Sequence, residues 1–217
     1  MASETVSIIK SIYADNNSIA AKINASFTAR KIFAVNVLGA PGTGKTSVIA
    51  GVIARIKDRP VTVIEGDIES DIDTKLFASR GVDAFQINTH GGCHLDAKMM
   101  DKALAAHPLR DNSVVFIENV GNLVCPAEYE IGEHMKLLVV SAAEGSDKPY
   151  KYPLAFQKAG IIVLNKADLK VHVDFNDKFF YDGVKAHNTT AKIFEVNAKK
   201  GDGIDALAQW LINVAAH

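Results

Sequence analysis

The sequence contains no apolar run of the roughly 20 residues that a membrane-spanning helix requires. Its first ten residues, Met1 to Lys10, carry an early acidic residue and no apolar segment of signal-peptide length. Basic residues form no long tract, and the formal net charge is only −1, which favours neither nucleic-acid nor membrane-surface binding. We therefore expect a cytoplasmic protein with no membrane and no nucleic-acid partner.

Cysteine is also scarce, because the chain has only two. In a cytoplasmic protein, two cysteines favour free thiols, metal ligands or buried packing residues over a structural disulfide. Internal repeats, linkers and low-complexity segments are absent from the sequence as well. Hydrophobic residues make up 48% of the 217 residues, which is enough for one sizeable core.

Short apolar, β-branched runs alternate with segments of helical spacing along most of the chain. The predicted strands are 32–38, 61–64, 82–87, 114–117, 137–140, 161–164 and 193–196, and the predicted helices are 45–57, 71–79, 95–106, 150–158, 174–187 and 203–214. Strands this apolar, separated by helices, are typical of a mainly parallel sheet with helices on both faces. The sequence therefore predicts the α/β class.

Residues 4–30 have apolar positions at helical spacing, but Asp15-Asn-Asn17 interrupts the pattern. This favours two short helices or one helix with a bend. We predict an N-terminal helical extension over residues 1–30, followed by one domain over residues 31–217.

The segment Gly39-Ala-Pro-Gly-Thr-Gly-Lys-Thr46 matches the P-loop pattern G-x-x-x-x-G-K-[ST], between a predicted strand and a predicted helix. Its glycines allow several backbone N–H groups to converge on one phosphate, and the helix adds its positive end. Lys45 can then reach the β and γ phosphates, while the Thr46 hydroxyl can ligate Mg²⁺. The predicted phosphate-binding residues are Gly39, Gly42, Thr43, Gly44, Lys45, Thr46 and Ser47.

A second motif, Asn165-Lys-Ala-Asp168, follows a late strand and matches the N-K-x-D element of GTP-binding proteins. The Asp168 carboxylate can accept hydrogen bonds from guanine N1–H and the 2-amino group, which adenine cannot supply. Lys166 would lie along the ring face and Asn165 would tie the loop together. Asn197-Ala198-Lys199 stands where such proteins carry an S-A-K-like loop over the base, with Asn in place of Ser. The alternative for the tetrapeptide is a polar turn after a strand.

Two acidic features can serve the metal and the attacking water. Asp67 ends the second strand in Glu65-Gly-Asp67, at the edge where open α/β sheets bind ligands, and Asp73 is a further Mg²⁺ candidate. A solvated acidic loop is the alternative for both. Glu118-Asn-Val-Gly121 takes the place of the D-x-x-G loop of Ras-like proteins, so that Gly121 can sense the γ-phosphate and Glu118 can hold Mg²⁺ through water. Because no glutamine stands at the water-orienting position, we expect slow GTP hydrolysis.

The two cysteines belong to a third pattern, His90-Gly-Gly-Cys93-His94 together with Cys125. Thiolate and imidazole suit Zn²⁺ and Ni²⁺, but Cys93 and His94 alone cannot fill a coordination shell. Cys125 lies four residues beyond Gly121, and joining the site would couple metal binding to nucleotide state. A two-fold dimer would offer each ligand twice. The alternative is a buried cysteine beside a helix-capping histidine, and His90 is a minor metal candidate.

With these motifs, the chain resembles the hydrogenase nickel-incorporation GTPases, the HypB family, over about residues 3–214. The resemblance rests on the P-loop, Glu65-Gly-Asp67, Cys93-His-Leu-Asp-Ala97, Ile117-Glu-Asn-Val-Gly-Asn-Leu-Val-Cys-Pro126 and Asn165-Lys-Ala-Asp168. It implies a P-loop NTPase fold of the SIMIBI class and GTP-dependent handling of Ni²⁺ in [NiFe]-hydrogenase maturation. It also implies that Cys93, His94 and Cys125 ligate nickel or zinc at the interface of a nucleotide-dependent homodimer.

The implied partners are other hydrogenase maturation proteins and the hydrogenase large subunit. Lys148 and Lys151 lie in a segment where family members contact a partner subunit. Bacterial relatives often add an N-terminal cysteine motif and a histidine-rich stretch, which this sequence lacks, so that high-affinity or storage-type nickel binding near Met1 is not expected. The chain resembles the short, archaeal-type form of the family. Three rivals remain: an accessory GTPase of the urease type, a metal-binding protein that uses nucleotide only structurally, and a P-loop kinase, which Asn165 to Asp168 disfavours.

Overall fold

A computed structural model of the chain describes the backbone of residues 2–67 and 72–216, and the side chains of residues 11–67 and 74–216. The strands are β1 Phe33–Leu38, β2 Val61–Asp67, β3 Asp83–Asn88, β4 Val114–Glu118, β5 Met135–Ser141, β6 Ile161–Asn165 and β7 Lys192–Glu195. The helices are α1 Ala2–Ala29, α2 Lys45–Ile53, α3 Ile72–Ser79, α4 Ala97–Ala106, α5 Cys125–Glu128, α6 Lys148–Lys151, α7 Pro153–Lys158, α8 Asp177–His187 and α9 Ile204–Ala215.

The strands form one sheet in the order β3-β2-β4-β1-β5-β6-β7. Every neighbouring pair is parallel, which confirms the predicted sheet. All carboxyl ends therefore lie along one edge, and β1 leads into its loop between β4 and β5. Open parallel sheets bind ligands in the crevice at this edge.

Each face of the sheet is covered by helices, because alternate residues of each strand point to opposite sides. On one face, α2 and α9 pack on alternate residues of the central strands, among them Val35, Val37, Val63 and Val139. On the other face, α1 and α4 cover Ala34, Ile64 and Val115, while α7 and α8 cover Leu138 and Ile162. The prediction of helices on both faces is confirmed.

Helix α1 runs without interruption from Ala2 to Ala29, so the alternative of two short helices is wrong. Asn16, which breaks the apolar pattern, is buried and its amide is satisfied by two other elements. Its Nδ2 donates to the carbonyl of Glu130 at 2.8 Å, and its Oδ1 accepts from the N–H of Ala97 at 2.9 Å. A polar side chain can occupy a buried helix position when such partners exist. The division of the chain at residue 30 stays a prediction.

Other differences from the predicted elements are local. The single helix predicted over 150–158 is divided into α6 and α7, because Pro153 has no N–H to continue a helix. The short α5, which begins at Cys125, was not predicted. In the part of the chain that the structure describes, no helix is long and apolar enough to cross a membrane.

Candidate functional site

The predicted phosphate loop connects β1 to α2. Gly42 and Gly44 have φ values of 76° and 93°, a conformation that L side chains rarely adopt. Gly44 is required for a second reason, because an added Cβ would lie 2.5 Å from Nδ2 of Asn165. The turn therefore brings the phosphate loop and the later Asn165 loop into direct contact.

An open cavity of about 600 Å³ lies over this loop, at the carboxyl ends of the central strands. It combines residues from four predicted motifs that are far apart in sequence. The predicted residues that line it are Gly42, Gly44, Lys45, Thr46, Ser47, Asp67, Glu118, Gly121 and Lys166. The volume and the mixture of backbone N–H donors, two lysines and three carboxylates suit a triphosphate with a divalent cation.

The oxygen donors in this cavity are close to one another. The Thr46 hydroxyl donates to Oε1 of Glu118 at 3.1 Å, and Lys45 Nζ lies 3.9 Å from the same oxygen. Asp67 lines the cavity from the end of β2. A hydroxyl and two carboxylates are hard ligands of the kind that Mg²⁺ prefers, so these residues fit the ion. The side chain of Asp73, the other predicted Mg²⁺ ligand, lies outside the described residues.

A second cavity of about 490 Å³ adjoins the first and shares Gly44, Thr46, Ser47 and Lys166 with it. The remaining predicted residues on its wall are Asn165, Asn197, Ala198 and Lys199. Asn165 ties the wall together, because its Nδ2 donates to the carbonyl of Thr43 at 2.8 Å and its Oδ1 accepts from the N–H of Ala198 at 3.1 Å. The two cavities thus lie side by side along shared residues, where one nucleotide can extend over both.

The loops on this side are held by the predicted residues Lys166, Asp168 and Asn197 together with Lys200, which was not predicted from the sequence. Asp168 is not among the residues that line the second cavity, and its Oδ2 accepts from Nζ of Lys200 at 3.1 Å. Lys166 adopts a left-handed conformation and donates to the carbonyl of Gly42 at 2.7 Å. Asn197, in place of the usual serine, accepts from the N–H of Lys200 through its Oδ1 at 3.1 Å. This bond gives the asparagine a local role as a turn former.

The two cysteines and His94 form a cluster at the same edge of the sheet. The Cys93 thiol donates to the sulfur of Cys125 at 3.0 Å, and Nδ1 of His94 lies 3.4 Å from the Cys93 sulfur. One ligand atom from each residue lies within 4.8 Å of the others. Cys93 is exposed and Asp96, not His94, caps α4. The alternative of a buried cysteine beside a helix-capping histidine is therefore wrong.

The electrostatics of the cluster suit a cation that replaces protons. The hydrogen bond to Cys125 and partial burial raise the pKa of the Cys93 thiol. Burial lowers the pKa of His94, although the carboxylates of Asp96 and Glu128 partly oppose this shift. The imidazole is consequently neutral near pH 7 and can offer a nitrogen lone pair, whereas the thiols must release protons to bind metal.

Several residues around the cluster were missed by the sequence analysis. The ring of Tyr129 lies over His94 with centroids 4.0 Å apart, and Nδ2 of Asn122 donates to the carbonyl of Cys93 at 3.3 Å. Their only signal was proximity to Cys125 in sequence. His90, the minor metal candidate, is exposed and is not part of the cluster.

The two candidate partner-contact lysines lie in α6 on the surface. Nζ of Lys148 is 3.5 Å from Glu144, and Nζ of Lys151 is 2.5 Å from Asp147. The Lys151–Asp147 pair is exposed, and such pairs contribute little to folding stability, so the Lys151 side chain is available to a partner at low cost. The Lys148 side chain is only 18% exposed.

Comparison with known proteins places these sites in context. Residues 33–195 match the family described as the CobW/HypB/UreG nucleotide-binding domain. The hydrogenase maturation factor HypB of Rhizobium leguminosarum bv. viciae is 42% identical over 207 residues, which cover 95% of this chain and 69% of the relative. The hydrogenase/urease maturation factor HypB of Helicobacter pylori is 30% identical over 216 residues and covers 98% of this chain and 89% of the relative.

A solved structure extends the similarity to three dimensions. The crystal structure of HypB from Helicobacter pylori in complex with nickel aligns with a TM-score of 0.87 at 30% identity, over 93% of this chain and 95% of that one. The predicted α/β fold of the P-loop NTPases is therefore confirmed.

Proposed function

The chain belongs to the HypB family, within the wider CobW/HypB/UreG group of nucleotide-binding domains, and from this premise we propose that it is a GTP-hydrolysing metallochaperone that delivers nickel during [NiFe]-hydrogenase maturation. One observation carries the proposal. A single stretch of eight residues begins at Glu118, in the cavity over the phosphate loop, and ends at Cys125, in the thiol cluster. A structural change at the phosphates can therefore be transmitted to the metal ligands along this one segment of backbone.

The nucleotide half of the proposal assigns each loop a part of GTP. The phosphates lie on the loop from Gly39 to Thr46, with Lys45 against the β and γ groups. The base fills the second cavity, and Asp168, which does not line this cavity, turns towards it and exchanges its bond with Lys200 for bonds to guanine. Because guanine offers two donors to a carboxylate and adenine offers none in the same place, this exchange favours GTP and GDP.

The cation of the nucleotide site is Mg²⁺, held by Thr46, Asp67 and Glu118, with Asp73 as a further candidate. When bound, Mg²⁺ neutralises charge on the β and γ phosphates and so assists their hydrolysis. Gly121 senses the γ-phosphate through its backbone N–H. The chain supplies no glutamine to orient the attacking water, so the intrinsic rate is slow.

The metal half assigns Ni²⁺, the cargo, to Cys93, His94 and Cys125, with Zn²⁺ as a competing occupant. Two thiolates and an imidazole are soft or borderline donors that suit both ions. Three donors leave the shell of either ion incomplete. A second copy of the chain, joined in the GTP state, completes it, and hydrolysis then loosens the dimer and releases Ni²⁺ to hydrogenase maturation partners and the hydrogenase large subunit.

A second candidate function is service to another nickel enzyme, because the Helicobacter pylori relative is named for both hydrogenase and urease maturation. The urease accessory type joins Cys-Pro-His in one motif, whereas here Cys93-His94 and Cys125-Pro126 are separate. This separation favours the hydrogenase role. A third candidate, a metal-binding protein that uses nucleotide only structurally, predicts no phosphate release from Mg²⁺-GTP over hours.

The proposal is tested by titrating Ni²⁺ and Zn²⁺ into the protein with a GTP analogue, with GDP and without nucleotide, while size-exclusion chromatography with light scattering reports the mass. We expect the dimer only with the analogue. Two matched variants test the nucleotide and the metal parts of the proposal separately. We expect Cys93→Ala to abolish metal binding and to retain GTP hydrolysis. We expect Lys45→Ala to abolish hydrolysis and to retain thiol-dependent metal binding. Equal Ni²⁺ affinity and stoichiometry in wild type and a Cys93→Ala/Cys125→Ala double variant would overturn the metal half.

A further inference from the structure

Residues 118–125, which we call the connecting segment, join the nucleotide cavity to the thiol cluster. The centre of this segment is tightly packed against the phosphate loop. An added Cβ at Gly121 would lie 2.8 Å from the ring of Pro41, in the phosphate loop. A displacement of Gly121 must therefore be passed along the segment, because it cannot be absorbed against the phosphate loop.

Asn122, the next residue, contacts three parts of the site at once. Its backbone pairs with that of Gly39, the first residue of the phosphate loop. Its Oδ1 accepts from the N–H of Val124 at 2.9 Å, which shapes the turn into Cys125. Its Nδ2 donates to the carbonyl of Cys93 at 3.3 Å. One residue thus links both cysteine loops, through its side chain, to the phosphate loop, through its backbone.

The far side of the Cys93 loop is fixed to the core instead. The N–H of Leu95 donates to Oδ1 of the buried Asn119 at 3.1 Å, and Nδ2 of Asn119 donates to Oδ1 of Asn36, on β1, at 3.2 Å. Leu95 is itself buried against Gly66, where an added Cβ would lie 2.7 Å from its Cγ. Leu95 is therefore held by the core, whereas the Cys93 carbonyl is held by Asn122.

We propose that Asn122 is the positioning residue that couples nucleotide state to metal affinity, because it holds the Cys93 carbonyl while its own backbone follows the phosphate loop. The inference rests on the proposed function, and it adds the residue that carries the coupling. A γ-phosphate that draws Gly121 inward moves Asn122, and with it the Cys93 sulfur relative to that of Cys125. Asn119 and Leu95 are the fixed pivot of this movement.

The test measures the coupling factor, which is the ratio of the Ni²⁺ dissociation constants with GDP and with a non-hydrolysable GTP analogue. Coupling between sites typically amounts to about 5- to 150-fold. In Asn122→Ala we expect this factor to move towards one by about threefold to tenfold, as the loss of the hydrogen bond to the Cys93 carbonyl allows. By linkage, the effect of Ni²⁺ on affinity for the GTP analogue must shrink by the same factor. A purely structural role would weaken both states equally and leave the factor unchanged.

Two more variants sharpen the result. Asn122→Asp keeps an acceptor for Val124 but loses the donor to Cys93, and its charge attracts Ni²⁺ in both nucleotide states. We expect both Ni²⁺ affinities to rise together while the coupling factor falls as in Asn122→Ala. Asn188→Ala is the control, because the Asn188 amide, like that of Asn122, bonds backbone groups on separate segments, those of Phe156, Gln157, Ala159, Thr190 and Ala191, remote from both sites. It should lower the unfolding temperature and retain the coupling factor.

The outcomes separate this inference from the proposed function. A wild-type coupling factor that both Asn122 variants retain overturns the role of Asn122 and leaves the metallochaperone function standing. An equal loss in Asn188→Ala overturns it as well, because the effect would then follow from general destabilisation. A wild-type factor of one leaves no coupling for Asn122 to carry and overturns the inference, whereas Ni²⁺ binding and GTP hydrolysis in the same samples still report on the function. If Asn122→Ala does not fold, Asn122→Asp decides.

Discussion

Asn165→Ala should show how much the nucleotide site depends on its frame, the two hydrogen bonds by which Asn165 joins the surrounding loops, rather than on contacts with the nucleotide. Asn165 is 3% exposed, and its amide joins the carbonyl of Thr43 to the N–H of Ala198. The change removes both bonds and leaves two backbone groups without their partner. A net hydrogen bond contributes about 0.5–1.5 kcal/mol, and a buried group left unsatisfied costs about 1–3 kcal/mol. We therefore expect a total loss of about 2–4 kcal/mol, divided between folding and nucleotide binding.

The division can be measured directly. For a domain of this size, about 2 kcal/mol of lost stability lowers the unfolding temperature by about 4–8 °C. The remainder should weaken nucleotide binding by about tenfold, since 1.4 kcal/mol is one decade in a dissociation constant. Calorimetry of the nucleotide-free protein measures the first effect, and competition with a fluorescent GDP measures the second. GTP and GDP should weaken by the same factor, because Asn165 bonds no atom that distinguishes them.

Asp168→Asn is the matched comparison, because it changes the base contact and otherwise alters only the exposed ion pair with Lys200, which contributes little to stability. The unfolding temperature should stay near that of wild type, while guanine nucleotides lose affinity because an amide N–H then faces the guanine donors. Xanthine carries a carbonyl in place of the 2-amino group, so xanthosine nucleotides should gain relative to guanosine nucleotides. The reasoning about Asn165 is refuted if Asn165→Ala binds GDP as tightly as wild type, or loses GTP while GDP binding is unchanged.

The fold and the phosphate loop were predictable because their signals are local. An apolar β-branched run indicates a buried strand, and the glycine spacing of Gly39 to Thr46 specifies a turn that only a few backbone conformations satisfy. The burial of Asn16 was not predictable in the same way. Its polar side chain interrupts the helical pattern, and the groups that satisfy it belong to Glu130 and Ala97, more than eighty positions away.

The meeting of Cys93 and Cys125 depends on the order of strands in the sheet. Their loops follow β3 and β4, and β2 lies between these strands in the sheet. Sequence alone indicated that each cysteine lies at a loop, but the order of the strands decides whether thiols 32 positions apart reach each other. Lys200 was missed for a related reason, because its role depends on two loops that meet only in the folded chain.

Two further predictions concern the supports of the site. In Gly66→Ala the new methyl would press on Leu95, because it would lie 2.7–3.0 Å from three of the Leu95 carbons. We expect calorimetric titration to show Ni²⁺ binding weakened several-fold and GDP binding unchanged. An equal loss of affinity for Ni²⁺ and for GDP would contradict this. Glu133→Gln tests a buried pair beneath the site. Burial alone would raise the pKa of Glu133, but Lys136, Asn36 and the N–H of Ile131 outweigh it and hold the pKa below its usual range. In the unfolded chain the pKa of this carboxyl is near 4.3. Between the folded and the unfolded pKa, the unfolded chain therefore binds more protons than the folded one. The stabilisation by the Glu133 carboxylate is thus complete above about pH 5 and is lost as the pH falls through the lower, folded pKa. Breaking a buried pair costs about 3–5 kcal/mol, and we expect Glu133→Gln to show that loss near pH 7 and a shallower decline of the unfolding temperature below pH 5. Parallel curves for the two proteins from pH 7 to pH 3.5 would show that Glu133 does not carry this acid sensitivity.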